Sequence, residues 1–461
     1  MSRTLSIGDL TVEQVLREKE TFDLSLNFEK LGVDDGDRRW RTPESKCRGT
    51  DKSRAPSTAT ELTTLPAASN ILNVSVEFLA LSGGRPEPLI LSTTADRRLH
   101  MLSALDNSFA LHSSLSQVQD SPILSYCVLS QRYIFMSSMS GKVVLYDCRS
   151  DAVVAERRDH TKYAVRMISR EQSDGTWVAT AGWDAKVFLY FVPSAPDCSP
   201  LLGAPIAALS LPTNPEAILF IDHPETAKPL LLLTRRDSTF LYYYAPPELV
   251  ADITEAPVPL QPLGKQNLAP NSNAWVGFTP SSISMCPTDP SLLAVATSAV
   301  PHMKLIIVRL LVPPSEGVEA GPSDAIGAHV SPGNPMAQSD VTQAMQARAA
   351  LAVQERELAA ILVQCSTLAS QTAYSTPALA WRPDGSGVWV NSDDGIVRGV
   401  EVSTGKIVSN LRGHEVASKV RCIWAGRVGL PGEVGEEWML SGGFDQKLIV
   451  WRAPSAEAGP S

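Results

Sequence analysis

Five aspartates, Asp96, Asp184, Asp237, Asp394 and Asp445, stand in small-residue turns between apolar runs. Carboxylates on rigid turns are the raw material of general acid–base chemistry. Here each falls in a hairpin of its own, where its local work is to accept hydrogen bonds from turn amides. The seven histidines are dispersed, with no HExxH and no pair at metal-ligand spacing. No GxSxG elbow, GxxxxGK[ST] loop or GxGxxG loop occurs, and "SGGRP" and "SGG" are turns without a phosphate-binding helix behind them. The seven cysteines (47, 127, 148, 198, 286, 365, 422) are odd in number and never form a CxxC pair. That spacing disfavours a zinc site or a disulfide framework and points to a reducing compartment, cytoplasmic or nuclear. No catalytic residue, cofactor or metal is expected.

The turns are spaced too evenly to be incidental. "LILSTTADRRLHML", "IFMSSMSGKVVLYD", "WVATAGWDAKVFLY", "LLLLTRRDSTFLYYY", "LLAVATSAVPHMKLIIVRL", "GVWVNSDDGIVRGVEV" and "LSGGFDQKLIVW" each put a turn between two strand-like runs. Asp96, Ser140 and Asp184 follow one another at intervals of 44 residues, and Asp394 and Asp445 lie 51 apart. Further apolar segments precede each hairpin ("ILSYCVL", "AVRMIS", "SISMCP", "PALAWRP", "KVRCIWAG"), and many are followed by one more, such as "AVVAERRDH" and "KIVSNLRGH". Four short strands per unit of about 40–50 residues predict an all-β, seven-bladed β-propeller. Two stacked β-sandwiches are the competing architecture. A composition with 34 Pro, 29 Gly and only 19% charged residues suits many turns. A net charge of −9 argues against nonspecific nucleic-acid binding. No run reaches membrane-spanning length: "MKLIIVRLLV" is interrupted by Arg309.

The stretch "RGHEVASKVRCIWAG…LSGGFDQKLIVW" resembles the WD-repeat family, through Gly413-His414, Asp445 in the turn and Trp451 closing the third strand. The resemblance implies a hydrogen-bonded tetrad of His414, Ser441, Asp445 and Trp451. Unit three keeps His160, Thr180, Asp184 and Tyr190, the fifth keeps almost nothing, and Leu102 and Val400 stand where a Trp would. The family also implies a protein partner on the face carrying the residue before each turn Asp: Ala95, Met139, Trp183, Arg236, Asp393 and Phe444. Trp183, Arg235, Arg236 and Phe444 have the side-chain types that anchor interfaces. Tyr146-Asp147-Cys148-Arg149 resembles the box by which ubiquitin-ligase substrate receptors dock on a cullin adaptor, with Asp147 and Arg149 as the contact. Because the last unit runs from Trp451 into "APSAEAGPS", a strand from Thr60 to Leu65 is expected to complete it.

Outside the propeller, taken as 60–453, residues 1–33 read as two short helices resembling the LisH motif. Val15, Leu16, Phe22, Leu26 and Phe28 are the apolar positions that would mediate self-association into a homodimer, or else pack on the propeller. Residues 34–59 read as a flexible linker with seven Lys/Arg from Arg38 to Arg54, and 454–461 as a disordered tail. A helical insertion, 314–360, is expected between blades five and six, with its helix near 339–359. It is either a partner site or an insertion without a role. The function expected is a non-catalytic protein-interaction scaffold; the alternative is a substrate receptor of a cullin-type ligase.

Overall fold

The computed structural model describes residues 39–41 and 52–453, apart from short breaks at 66–67, 82–83, 106, 194–201, 250–255, 272–277, 315–334, 431 and 433–434. The chain divides into Met1–Arg38 and Arg39–Ser461, and the architecture below belongs to the second unit.

Seven antiparallel sheets make the blades of a propeller. Blade one is Ile71–Leu79, Glu87–Thr94, Leu99–Ser103 and Leu111–Leu115. Blade two is Ile123–Leu129, Tyr133–Ser138, Val143–Asp147 and Ala152–Arg157. Blade three is Ala164–Glu171, Gly175–Gly182, Lys186–Pro193 and Ala207–Ser210, with Val258–Pro259 added in parallel at its edge. Blade four is Pro215–Asp222, Pro229–Arg235, Phe240–Ala245 and Gln261–Asn267. Blade five is Thr279–Met285, Leu292–Ser298, His302–Arg309 and Ile361–Ser370. Blade six is Leu379–Trp381, Gly387–Val390, Ile396–Glu401 and Lys406–Arg412. Blade seven is Val420–Val428, Glu436–Gly443 and Leu448–Arg452, completed by Thr58–Glu61.

The closing strand lies slightly upstream of the expected Thr60–Leu65: its bonds run from Ser57 N–H to Arg452 O and Leu62 N–H to Leu448 O. Closure removes the open edge that Leu448–Arg452 would otherwise present. Second strands such as Gly175–Gly182 are buried along their whole length, because blades pack on both of their faces.

Seven apolar cores result, one between each neighbouring pair of blades. Blades one and two meet through Leu91, Ile134 and Val144, two and three through Phe135 and Tyr190, three and four through Leu189 and Leu231. Tyr243 and Val295 join four and five, Leu305 and Val388 five and six, Trp389 and Trp451 six and seven. Ile71, Ile90, Leu440 and Val450 join seven to one. That last core excludes two stacked sandwiches, since it makes the sequence of sheets cyclic.

The helical part of the expected fold needs correction. The helix, Pro335–Ala360, does not lie between blades five and six: it sits inside a single blade, in the connection from His302–Arg309 to Ile361–Ser370. Because the fourth strand pairs antiparallel with the third, any length of chain can join them, and closing a longer loop costs only slowly more entropy. It is the one helix among the described residues. The hairpin expected over 1–33, with Val15, Leu16, Phe22, Leu26 and Phe28, lies outside the described residues, as does the tail 454–461. Within the expected linker, Arg39–Arg41 and Lys52–Arg54 form a two-stranded antiparallel sheet.

Candidate interaction face and channel mouth

The turn from second to third strand recurs at one end of every blade. In blade seven His414 Nδ1–H donates to Asp445 at 2.9–3.0 Å, Ser441 Oγ–H donates to His414 Nε2 at 2.8 Å, and Trp451 Nε1–H donates to Ser441 Oγ at 2.9 Å. That direction of donation corresponds to the imidazole tautomer with its proton on Nδ1. Burial alone would raise the Asp445 carboxyl, but His414 and the amides of Glu415 and Lys447 hold it below its ordinary value. Blade three repeats this with His160 to Asp184 at 3.0 Å and Thr180 to His160 at 2.9 Å, while Tyr190 O–H turns to Asp159. The residue before the aromatic pre-turn position must be glycine in both blades. A Cβ on Gly182 would meet His160 Nδ1 at 2.4 Å, and one on Gly443 would meet Asp445 Oδ1 at 2.5 Å.

Elsewhere the same polar demand is met with other residues. In blade six Arg398 grips Asp394, and in blade two Ser140 donates to Asp120 from the preceding connection. In blade one Thr94 donates to Asp96 and contacts His100. Blade four departs from the sequence reading. Asp237 is exposed with φ +58, whereas in blades one, three and seven the positive φ falls one residue after the turn Asp, at Arg97, Ala185 and Gln446. Asp tolerates that conformation, so Asp237 shapes the backbone there and Ser238 bonds Tyr242 instead. These carboxylates are spread around the propeller. Among the described residues, no three His, Cys, Asp or Glu side chains converge where they could hold a metal ion.

In five blades the residue before the turn donates its N–H to the carbonyl that precedes the blade's inner strand: Ala95 to Asn70, Met139 to Pro122, Trp183 to Tyr163, Arg236 to Asn214, Phe444 to Lys419. In blade six Asp393 donates instead to Ser370 O, the end of blade five's outer strand. Trp183, Arg236 and Phe444 therefore share one end of the propeller. Trp183 is exposed and stacks on Tyr163 with ring centroids 5.3 Å apart, and the Arg236 guanidinium lies 6.0 Å from the Trp183 ring. Arg235 does not extend this patch outward; it turns in to Tyr242 and Thr213. Tyr374 and Val416, in the connections entering blades six and seven, are 91% and 95% exposed at the same end. Four aromatic side chains are exposed among the described residues (Tyr163, Trp183, Tyr374, Phe444), and all four lie there.

Asp147 and Arg149 sit at the opposite end, in the turn between third and fourth strands of blade two. Arg132 binds Asp147 through Nε at 2.8 Å and Nη2 at 2.6 Å, while the Arg149 amide and Ser150 hydroxyl also donate to it. The Arg132 bonds hold the Asp147 carboxyl down at about 2. Its charge is thus used within its own turn, and the Arg149 side chain is exposed.

Two arginines on inner strands, Arg166 and Arg421, escaped the sequence reading. Both lie in segments taken there as apolar, "AVRMIS" and "KVRCIWAG", and an arginine inside such a run was the available signal. In six blades the inner strand bulges near its start, skipping Leu72, Leu124, Val165, Glu216, Ser281 and Arg421 in the pairing. Arg166 reaches across the channel mouth, donating from Nε to Glu216 O at 3.1 Å, with Nη2 3.5 Å from Ser281 O. Burial, and then the neighbouring Arg166 guanidinium, lower Arg421 to about 10.

A family model described as a beta-propeller domain matches residues 273–451, the span of blades five to seven. No curated protein matches the chain.

Proposed function

We propose that this chain is a non-catalytic propeller of the WD-repeat type that binds a protein partner at the end carrying Tyr163, Trp183, Tyr374 and Phe444. The segregation of exposed aromatics carries this reading. The exposed large apolar residues in the turns of the opposite end, Leu105, Leu249 and Leu430 among them, are aliphatic. Rigid aromatics beside an arginine are the commonest energetic anchors of protein interfaces. The His414–Ser441–Trp451–Asp445 and His160–Thr180–Asp184 networks support the WD-repeat assignment. Affinity capture with Trp183→Asp and Phe444→Asp is expected to lose the partner by tenfold or more, with Leu105→Asp retaining it. Equal recovery from all three removes this reading.

The ligase-adaptor reading rests on Asp147 fixing its turn and leaving Arg149 exposed. Arg149→Ala is then expected to abolish co-purification of a cullin adaptor while Trp183→Asp leaves it intact. Self-association through Val15, Leu16, Phe22, Leu26 and Phe28 rests on their sequence pattern alone. Light scattering of Phe22→Asp/Phe28→Asp tests it, and an unchanged mass discards it. Free, buried Cys148 and Cys422, whose thiols burial pushes up to about 12, support residence in a reducing compartment, cytoplasm or nucleus.

A further inference from the structure

We propose that the channel mouth binds a dianionic phosphate or phosphoryl group between Arg166 and Arg421. Arg166 of blade three bonds the carbonyls of Glu216 and Ser281, the bulged residues of the inner strands of blades four and five. Arg421 is the bulged residue of the inner strand of blade seven, near enough to feel the Arg166 charge. Both residues lie deep within the protein yet keep some accessible surface. Arg166 is positioned by the carbonyls of Glu216 and Ser281, which offer dipoles and no full negative charge. The Glu216 carboxylate is the acidic group that Arg166 feels, but Arg236 already holds it at 2.8 Å. Glu77, on the inner strand of blade one, bonds Ser75, and burial raises its carboxyl, favouring the uncharged form. Among the described residues no carboxylate lies within ion-pair distance of Arg166 or Arg421.

Two like charges in a partly desolvated site repel, and a ligand of charge near −2 cancels both. A carboxylate would cancel one. Phosphate near neutral pH carries about −1.5 to −2 and offers oxygens that match guanidinium donors in pairs. Arg421 keeps its donors free of the described protein groups, and Arg166 keeps its second terminal nitrogen.

The test uses the full chain and does not rest on the protein-partner reading. Melting is followed with inorganic phosphate against chloride at matched ionic strength, together with ³¹P line broadening. The wild type is expected to rise saturably, by about 3–5 °C at roughly a hundredfold excess over Kd. Arg421→Gln is expected to lose that rise and the broadening, and to melt no lower than wild type in chloride, because removing its charge relieves repulsion. Arg166→Gln should also lose the response, with a lower baseline from its lost carbonyl bonds. Absence of a saturable rise in the wild type, or an equal rise in Arg421→Gln, overturns the proposal. A phosphoserine peptide binding tenfold tighter than inorganic phosphate assigns the phosphoryl group to a partner; equal or weaker binding assigns it to free phosphate. Trp183→Asp is expected to leave inorganic phosphate binding unchanged, which separates this site from the aromatic face.

Discussion

Among the described residues, the Asp445 carboxylate takes hydrogen bonds from His414 and the Glu415 and Lys447 amides, while exposed Asp237 takes none. Asp445→Asn places an amide N–H₂ against donors in a buried turn and is expected to cost about 1–3 kcal/mol by urea unfolding, against under about 0.5 for Asp237→Asn. A similar loss at both positions would contradict the network. Asp147 gives a pH signature. The Arg132 bonds hold it at about 2 in the fold, below its ordinary 3.8. Its stabilisation is therefore complete above about pH 4 and is lost as pH falls through 2, a change of about 1–2 kcal/mol. The urea midpoint of wild type should fall across that window by more than that of Asp147→Asn, and parallel curves would refute the assignment.

At the scale of elements, the helix Pro335–Ala360 is anchored at its last turns. Glu357, buried, accepts the Asn267 N–H of blade four at 2.7 Å, and Gln354 donates to Pro270 O at 2.9 Å. Met345, Leu351 and Val353 remain exposed before that anchor. Replacing residues 335–350 by a short Gly/Ser linker is expected to shift melting by no more than about 2 °C, since a shorter connection changes closure entropy little. Glu357→Ala is expected to cost about 1–2 kcal/mol, because it orphans a partly buried amide. Arg382 joins elements in another way: buried in blade six, it forms a bidentate pair with Glu437 of blade seven at 2.7–2.8 Å. Removing either partner strands a buried charge.

At the scale of the propeller, stability depends on the seventh core, which makes the ring continuous. Removing residues 1–65 deletes the closing strand and leaves the outer edge of Leu448–Arg452 without a partner, while its other edge stays paired to Glu436–Gly443. That truncation is expected to melt at least about 5 °C lower and to associate with concentration through the new edge, whereas removing residues 1–50 does neither. Calorimetry and light scattering read both outcomes; equal melting would mean that closure contributes little.

The sequence by itself determined the blades and their number, because strand alternation and turn chemistry are local and repeat at a readable interval. The resemblance of its last unit to WD repeats also implied a tetrad of His414, Ser441, Asp445 and Trp451, four residues that hydrogen bonds join within one blade. Only the tertiary structure decided what depends on register and on neighbours far along the chain. It placed Asp237 one step off the turn position of its counterparts, and it put the helix within blade five. It gathered the exposed aromatics at one end and set Arg166 beside Arg421, more than 250 residues away in sequence. A bulge can move one residue from a blade face into the channel, and closing a ring can oppose two strands, without leaving a local pattern in the chain.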